Sequence, residues 1–144
     1  MSVRKNDREH GRLECINSMR ILIGYTYDRV KDNSIFPKAQ RWLLPKSIWD
    51  AASRAHSTML GANAIRVENK TDAEERLLLV KLCVGHLDEL ISLIDMCHGK
   101  QLITDDRAEY WTGLATDTQN QVKGWLKSQR EMYKPFLNTR GDLY

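Results

Sequence analysis

Helix-breaking residues are scarce in this sequence and fall at joints, which leaves long stretches free to follow a helical period. Of the three prolines, Pro37 and Pro45 bracket one connection and Pro135 opens the C-terminal end. Gly99 separates two strongly periodic stretches. Between these points apolar residues recur three and four apart, the spacing that lines one face of an α-helix.

Four such segments are predicted. The first covers residues 12–33, on a stripe of Leu13, Ile16, Met19 or Arg20, Ile23, Tyr27 and Val30, and Asp32-Asn33-Ser34 ends it. Phe36 precedes a proline and is therefore pushed toward extended backbone. The second covers 45–67, with Pro45 in the first turn, where a missing N–H costs nothing. Its stripe is Ile48, Ala51, Ala52, Ala55, Met59, Ala62 and Ile65, small enough for a neighbouring helix to approach closely.

The third segment, 71–98, is the most regular. Thr71 or Asp72 is the expected N-cap, with Glu74 and Glu75 placed to favour the helix dipole. Leu77, Val80, Val84, Leu87, Ile91 and Ile94 form one stripe; Leu79, Cys83, Leu90, Leu93 and Cys97 form another beside it. So wide an apolar face touches more than one neighbour. Gly99 fits the position that closes the helix. The fourth segment, 105–133, opens at Thr104 or Asp105 and carries Trp111, Thr118, Trp125 and Met132 seven apart, with Leu114, Ala115, Val122 and Leu126 between them. That is bundle spacing. The expectation is an all-α, up-down-up-down four-helix bundle over residues 12–133. A flexible charged tail (1–11) and a C-terminal tail (134–144) complete the chain.

Composition excludes several alternatives. No stretch approaches the roughly 18 apolar residues that span a bilayer. No apolar segment of signal-peptide type opens the sequence. Cys15, Cys83 and Cys97 lack paired spacing, which argues against a disulfide framework and for a reducing, cytoplasmic setting. Net charge is +3, but its distribution is uneven. Residues 12–66 hold nine basic and four acidic side chains; residues 67–111 hold five and ten. Solvated helix faces explain such alternation as readily as a basic surface for nucleic acid, or acidic and basic elements meeting across subunits.

The chemistry-bearing patterns are weak. Cys83 with His86, and Cys97 with His98, share a helix, but structural zinc needs four convergent ligands. Glu-x-x-His, which a di-iron bundle requires, does not occur. Phosphate loops, nucleophile elbows and zinc-protease helices are absent as well. No catalytic residue, metal or cofactor is expected, and the chain does not read as an enzyme. Trp111 and Trp125 follow the heptad into the core. Trp42 and Trp49 flank the proline connection and are the better interface candidates. Lys123, Lys127 and Arg130 share one helix face.

Phe36-Pro37-Lys38 followed by Arg41, the alanine-rich second segment, the Leu/Ile-rich third ending in His98-Gly99, and Gly124-Trp125-Leu126-Lys127-Ser128 together carry a resemblance. The chain resembles, over about residues 27–130, the four-helix-bundle family of 23S rRNA intervening-sequence proteins and the accessory variability determinant (Avd) proteins of diversity-generating retroelements. The Gly-Trp-Leu-Lys-Ser run favours the Avd branch. The resemblance implies a homo-pentameric barrel that associates with a reverse transcriptase and its template RNA and has no catalytic residues of its own. The nucleic-acid-binding candidates it supplies, by general position, are Arg41, Arg54, Arg66, Lys70, Arg76, Lys123 and Lys127. The chain departs from the branch's strongly basic character in its modest net charge and acidic third segment. An alternative is an oligomeric scaffold of the intervening-sequence type that binds protein partners only.

Overall fold

The computed structural model describes residues 5–138, with side chains from residue 11 onward. The outermost parts of both predicted tails, 1–4 and 139–144, lie outside the described residues. Four long helices pack against one another: α1 (Lys5–Val30), α2 (Leu44–Ala64), α3 (Lys70–Gly99) and α4 (Asp105–Met132). A short 3-10 turn (Lys38–Gln40) follows Pro37, and a one-turn α5 (Lys134–Leu137) follows α4. No strand occurs among the described residues, and no helix there is long and apolar enough to cross a membrane.

Each helix packs on its sequence neighbour, and α4 returns to α1 to close the ring. Cross-helix contacts fix the directions. On α1 and α4, Ser18 meets Gln121 and Thr26 meets Trp111; on α2 and α3, Arg54 meets Glu89 while Gly61 faces Leu79; on α3 and α4, Arg76 meets Gln129 and Asp88 meets Gln119. As one number rises its partner falls, so neighbours are antiparallel and the bundle runs up-down-up-down.

Local chemistry explains most element ends. Pro45 sits in the first turn of α2, as its fixed φ and missing N–H allow. Thr104 caps α4, its hydroxyl accepting from the Arg107 N–H. The cap of α3 is Asn69, not Thr71 or Asp72: its side-chain oxygen accepts from the Asp72 N–H at 2.9 Å, while the Asp72 carboxylate accepts from the Glu68 N–H at 3.0 Å. These two reciprocal bonds serve orphan donors much as a capping box does.

Gly99 does not close α3. It is the last helical residue, and the left-handed residue is Gln101, at φ 60°. The Gln101 N–H donates to His98 O and the Leu102 N–H to Cys97 O, the bond pair of a Schellman ending.

Most residues of the α2, α3 and α4 stripes fill or pack on the core, with Trp111 and Trp125 inside, but Ile65, past the end of α2, and Met132 do not. On α1 the stripe is rotated. Cys15, Met19, Leu22 and Thr26 are buried, whereas Leu13 and Tyr27 are exposed. α1 also begins at Lys5, inside the segment read as a flexible tail, and the C-terminal tail opens with α5. Ile35 and Phe36 are buried and pin the α1–α2 connection to the core.

Candidate nucleic-acid interface

The α1–α2 connection builds the most exposed aromatic surface. With Ile35 and Phe36 anchored inward, the chain turns through Pro37 and the 3-10 turn and presents Trp42, which is 71% exposed, beside the exposed Leu43. Single exposed apolar residues are ordinary, but this one is a large aromatic ring with a cation beside it. The Arg41 guanidinium lies 5.9 Å from the Trp42 ring centroid. Lys31, Arg41, Trp42, Pro45, Lys46 and Trp49 line a shallow depression of about 300 Å³. Trp49 is half-buried and packs edge-on against Tyr27, ring centroids 5.7 Å apart. Of the two interface candidates, Trp42 is thus the open one, and Trp49 lines the same depression.

The predicted basic residues do not converge on one patch. Arg41 lies at the α1–α2 end. Arg54 lies on the α2–α3 seam, where its Nη2 donates to Glu89 Oε1 at 2.8 Å. Part of the charge asymmetry between the two segments is therefore satisfied inside the chain. Arg66 and Lys70 stand at the opposite end, 3.5 Å from Glu68 and 3.9 Å from Glu74 respectively. Lys123 and Lys127 are exposed on α4, and no ion pair engages Arg41, Lys123 or Lys127 among the described residues.

Arg76 corrects the expectation of an open basic face. It is 8% exposed, its Nε donates to Gln129 Oε1 at 2.5 Å and its Nη1 donates to the Ile65 carbonyl at 2.8 Å. The guanidinium lies 5.7 Å from the ring centroids of both Trp125 and Tyr133. Burial holds its pKa below the ordinary value; Tyr133 opposes that shift, and the nearby Arg12 charge adds to it.

Sequence reasoning passed over Arg12, Asn63, Gln129 and Tyr133, which surround Arg76. Gln129 had a readable signal. It falls four residues after Trp125 on the buried face of α4, where an amide is out of place unless it has a partner.

The thiols are inert in character: burial pushes Cys15 and Cys83 up to about 12 and Cys97 to about 11. His98 is exposed and lies 2.6 Å from Asp105, tying the end of α3 to the start of α4. Among the described residues no group of three or more His, Cys, Asp or Glu side chains is placed to hold a metal ion. No family model, no curated protein and no solved structure matches this chain.

Proposed function

We propose that the chain is a non-catalytic accessory protein of a diversity-generating retroelement. In this reading it acts as a homo-oligomer, a pentameric barrel, in the cytoplasm. It engages the reverse transcriptase and the template RNA and supports mutagenic copying of that template into cDNA. The ordered Avd-like motifs on a helical bundle support the family reading. The observation that carries the RNA part is the open Trp42 with Arg41 against it and Lys31 and Lys46 beside it. An exposed ring gives any unpaired base a stacking face, and neighbouring cations meet its phosphates.

The test is RNA binding across a salt series. Affinity for a single-stranded template fragment should fall steeply with salt, because cations that contact phosphate release counterions. Trp42→Ala should weaken binding by about tenfold, the order expected for one lost stacking contact. A weak response that is flat with salt, or one indifferent to Trp42, removes the RNA part. The second reading, a scaffold that binds protein only, is favoured by one observation: Lys31, Lys46, Arg54, Arg66 and Lys70 each have a carboxylate within 4 Å. Reverse-transcriptase capture that persists without RNA, alongside flat RNA binding, selects it.

A further inference from the structure

At the end of the bundle opposite Trp42, α1, the α2–α3 connection, the first turns of α3 and the end of α4 line an open cleft of about 560 Å³. That is the size range of small-ligand sites. Its walls include Arg12, Arg66 and Arg76, and no carboxylate lines it among the described residues.

A buried guanidinium is ordinarily neutralised by an acid. Arg76 instead has an amide and a carbonyl as partners, which satisfy hydrogen bonds without cancelling charge. Arg12 contributes a second guanidinium, and its buried Nε has no hydrogen-bond partner. Arg66, itself exposed and 3.5 Å from Glu68, also lines the cleft. The Arg12 and Arg76 charges repel each other, and an anion between them reverses the sign of that term.

The buried Oδ1 of Asn63 is also without a partner, on the same wall. An acceptor among donors calls for a ligand with a hydroxyl or amine beside its anionic group. A phosphate offers more oxygens than a carboxylate and can engage several guanidinium forks together. Ile65, Val67 and Met132 leave apolar wall for the ligand's body.

We infer that this cleft binds a hydroxyl-bearing phosphate monoester, the chemistry shared by a free sugar phosphate or nucleotide and by the phosphorylated end of an RNA strand. The inference does not depend on the retroelement reading, because it uses neither Trp42 nor a protein partner. Arg12, Arg66 and Arg76 supply the charge, and Asn63 receives the hydroxyl.

Calorimetric titration of the full chain tests it, with inorganic phosphate, ribose 5-phosphate, uridine 5′-monophosphate and uridine as probes. The phosphate esters should bind at least about tenfold tighter than inorganic phosphate or uridine. Arg12→Gln and Arg66→Gln, chosen because neither residue is fully buried, should each weaken ester binding by about tenfold or more. Asn63→Ala should weaken ribose 5-phosphate more than inorganic phosphate. Trp42→Ala, at the far end, should leave ester binding unchanged, so a failed RNA experiment and a failed pocket experiment are distinguishable.

An octauridylate carrying a 5′-phosphate, compared with its 5′-hydroxyl form, separates the two ligand sources. A preference for the phosphorylated strand that Arg12→Gln abolishes assigns the strand end; equal binding of the two strands beside tight ester binding assigns the free ester. The inference is overturned if the esters do not bind below about 10 mM, if inorganic phosphate binds as tightly, or if the two arginine variants bind as the parent does.

Discussion

At the residue scale, polar side chains inside the bundle fix the pairing of its helices. The Trp111 Nε1–H donates to Thr26 Oγ1 at 3.0 Å, with both residues fully buried. This bond joins α1 to α4 and accounts for a threonine at a core position. Trp111→Phe removes the donor and leaves a smaller ring in its place. The lost bond and the cavity together should cost about 2–3 kcal/mol, measured as a lower denaturation midpoint at unchanged slope. The cysteines give a second check. With Cys15 and Cys83 near 12 and Cys97 near 11, almost no thiolate exists at pH 8. A thiol reagent should therefore label the native chain only as fast as it opens, and all three thiols at once in denaturant. Rapid labelling of one thiol in the folded state would contradict its burial. A third check is His56, whose pKa burial holds below 6.5, with the Arg20 charge adding to the shift. The folded state thus favours the neutral ring. Its contribution is complete above the unfolded value and is lost as pH falls through 6.5 toward the lower folded value. His56→Gln should flatten the decline of melting temperature between about pH 7 and 5.

At the element scale, the physics of each helix explains what could be read from sequence. α4 was legible because its large side chains recur on one face with polar residues between them. Pro45 and Thr104 were legible because their roles are local. α1 was not, because Leu13, Ile16, Ile23 and Tyr27 on one flank and Ile21 and Tyr25 on the other spread its apolar surface well beyond the face that is buried. Periodicity cannot orient such a helix; the fit of Cys15 and Thr26 against the partner helices does. The end of α3 misled for a similar reason. Gly99 looked like the left-handed residue, but the Schellman bonds fall two residues later, at Gln101. The candidate site divided along the same line. Trp42 was readable from its place in the proline connection and Arg41 from the resemblance, whereas the Arg12–Arg76 cleft joins residues from three separated segments that no local pattern links. Gln101 also yields a prediction. A residue with a Cβ at φ 60° is strained by roughly 1 kcal/mol relative to glycine. Glycine regains that strain but loses some through the greater freedom of the unfolded chain. Gln101→Gly should therefore stabilise by up to about 0.5 kcal/mol, seen as a small rise in melting temperature, while the same substitution at the fully helical Gln121 should destabilise.

At the scale of the whole molecule, the antiparallel layout separates two chemistries along the bundle. A helix of 26 residues such as α1 is about 39 Å long, so the aromatic corner at Trp42 and the guanidinium cleft at Arg76 lie at opposite ends. Between them runs the flank formed by α2 and α3. Gly61 of α2 faces Leu79 of α3, which places the exposed Leu60 at the level of Leu78 and Leu82. These three leucines are 45%, 53% and 43% exposed. Leu78 and Leu82 belong to neither stripe read on the third segment, and with Leu60 they lie outside the core that those stripes fill. If the proposed assembly forms through this flank, a charge there must disrupt it without unfolding the protomer. An exposed substitution alters folding stability by only about 0.5 kcal/mol, whereas an unpaired carboxylate desolvated in an interface costs several. Leu78→Glu and Leu82→Glu should therefore leave the helical circular-dichroism signal intact while sedimentation shifts from the assembled mass toward that of one chain. A parent chain that sediments as a monomer at micromolar concentration would end the pentamer and the scaffold reading together; an assembly that tolerates both substitutions would move the interface to another flank.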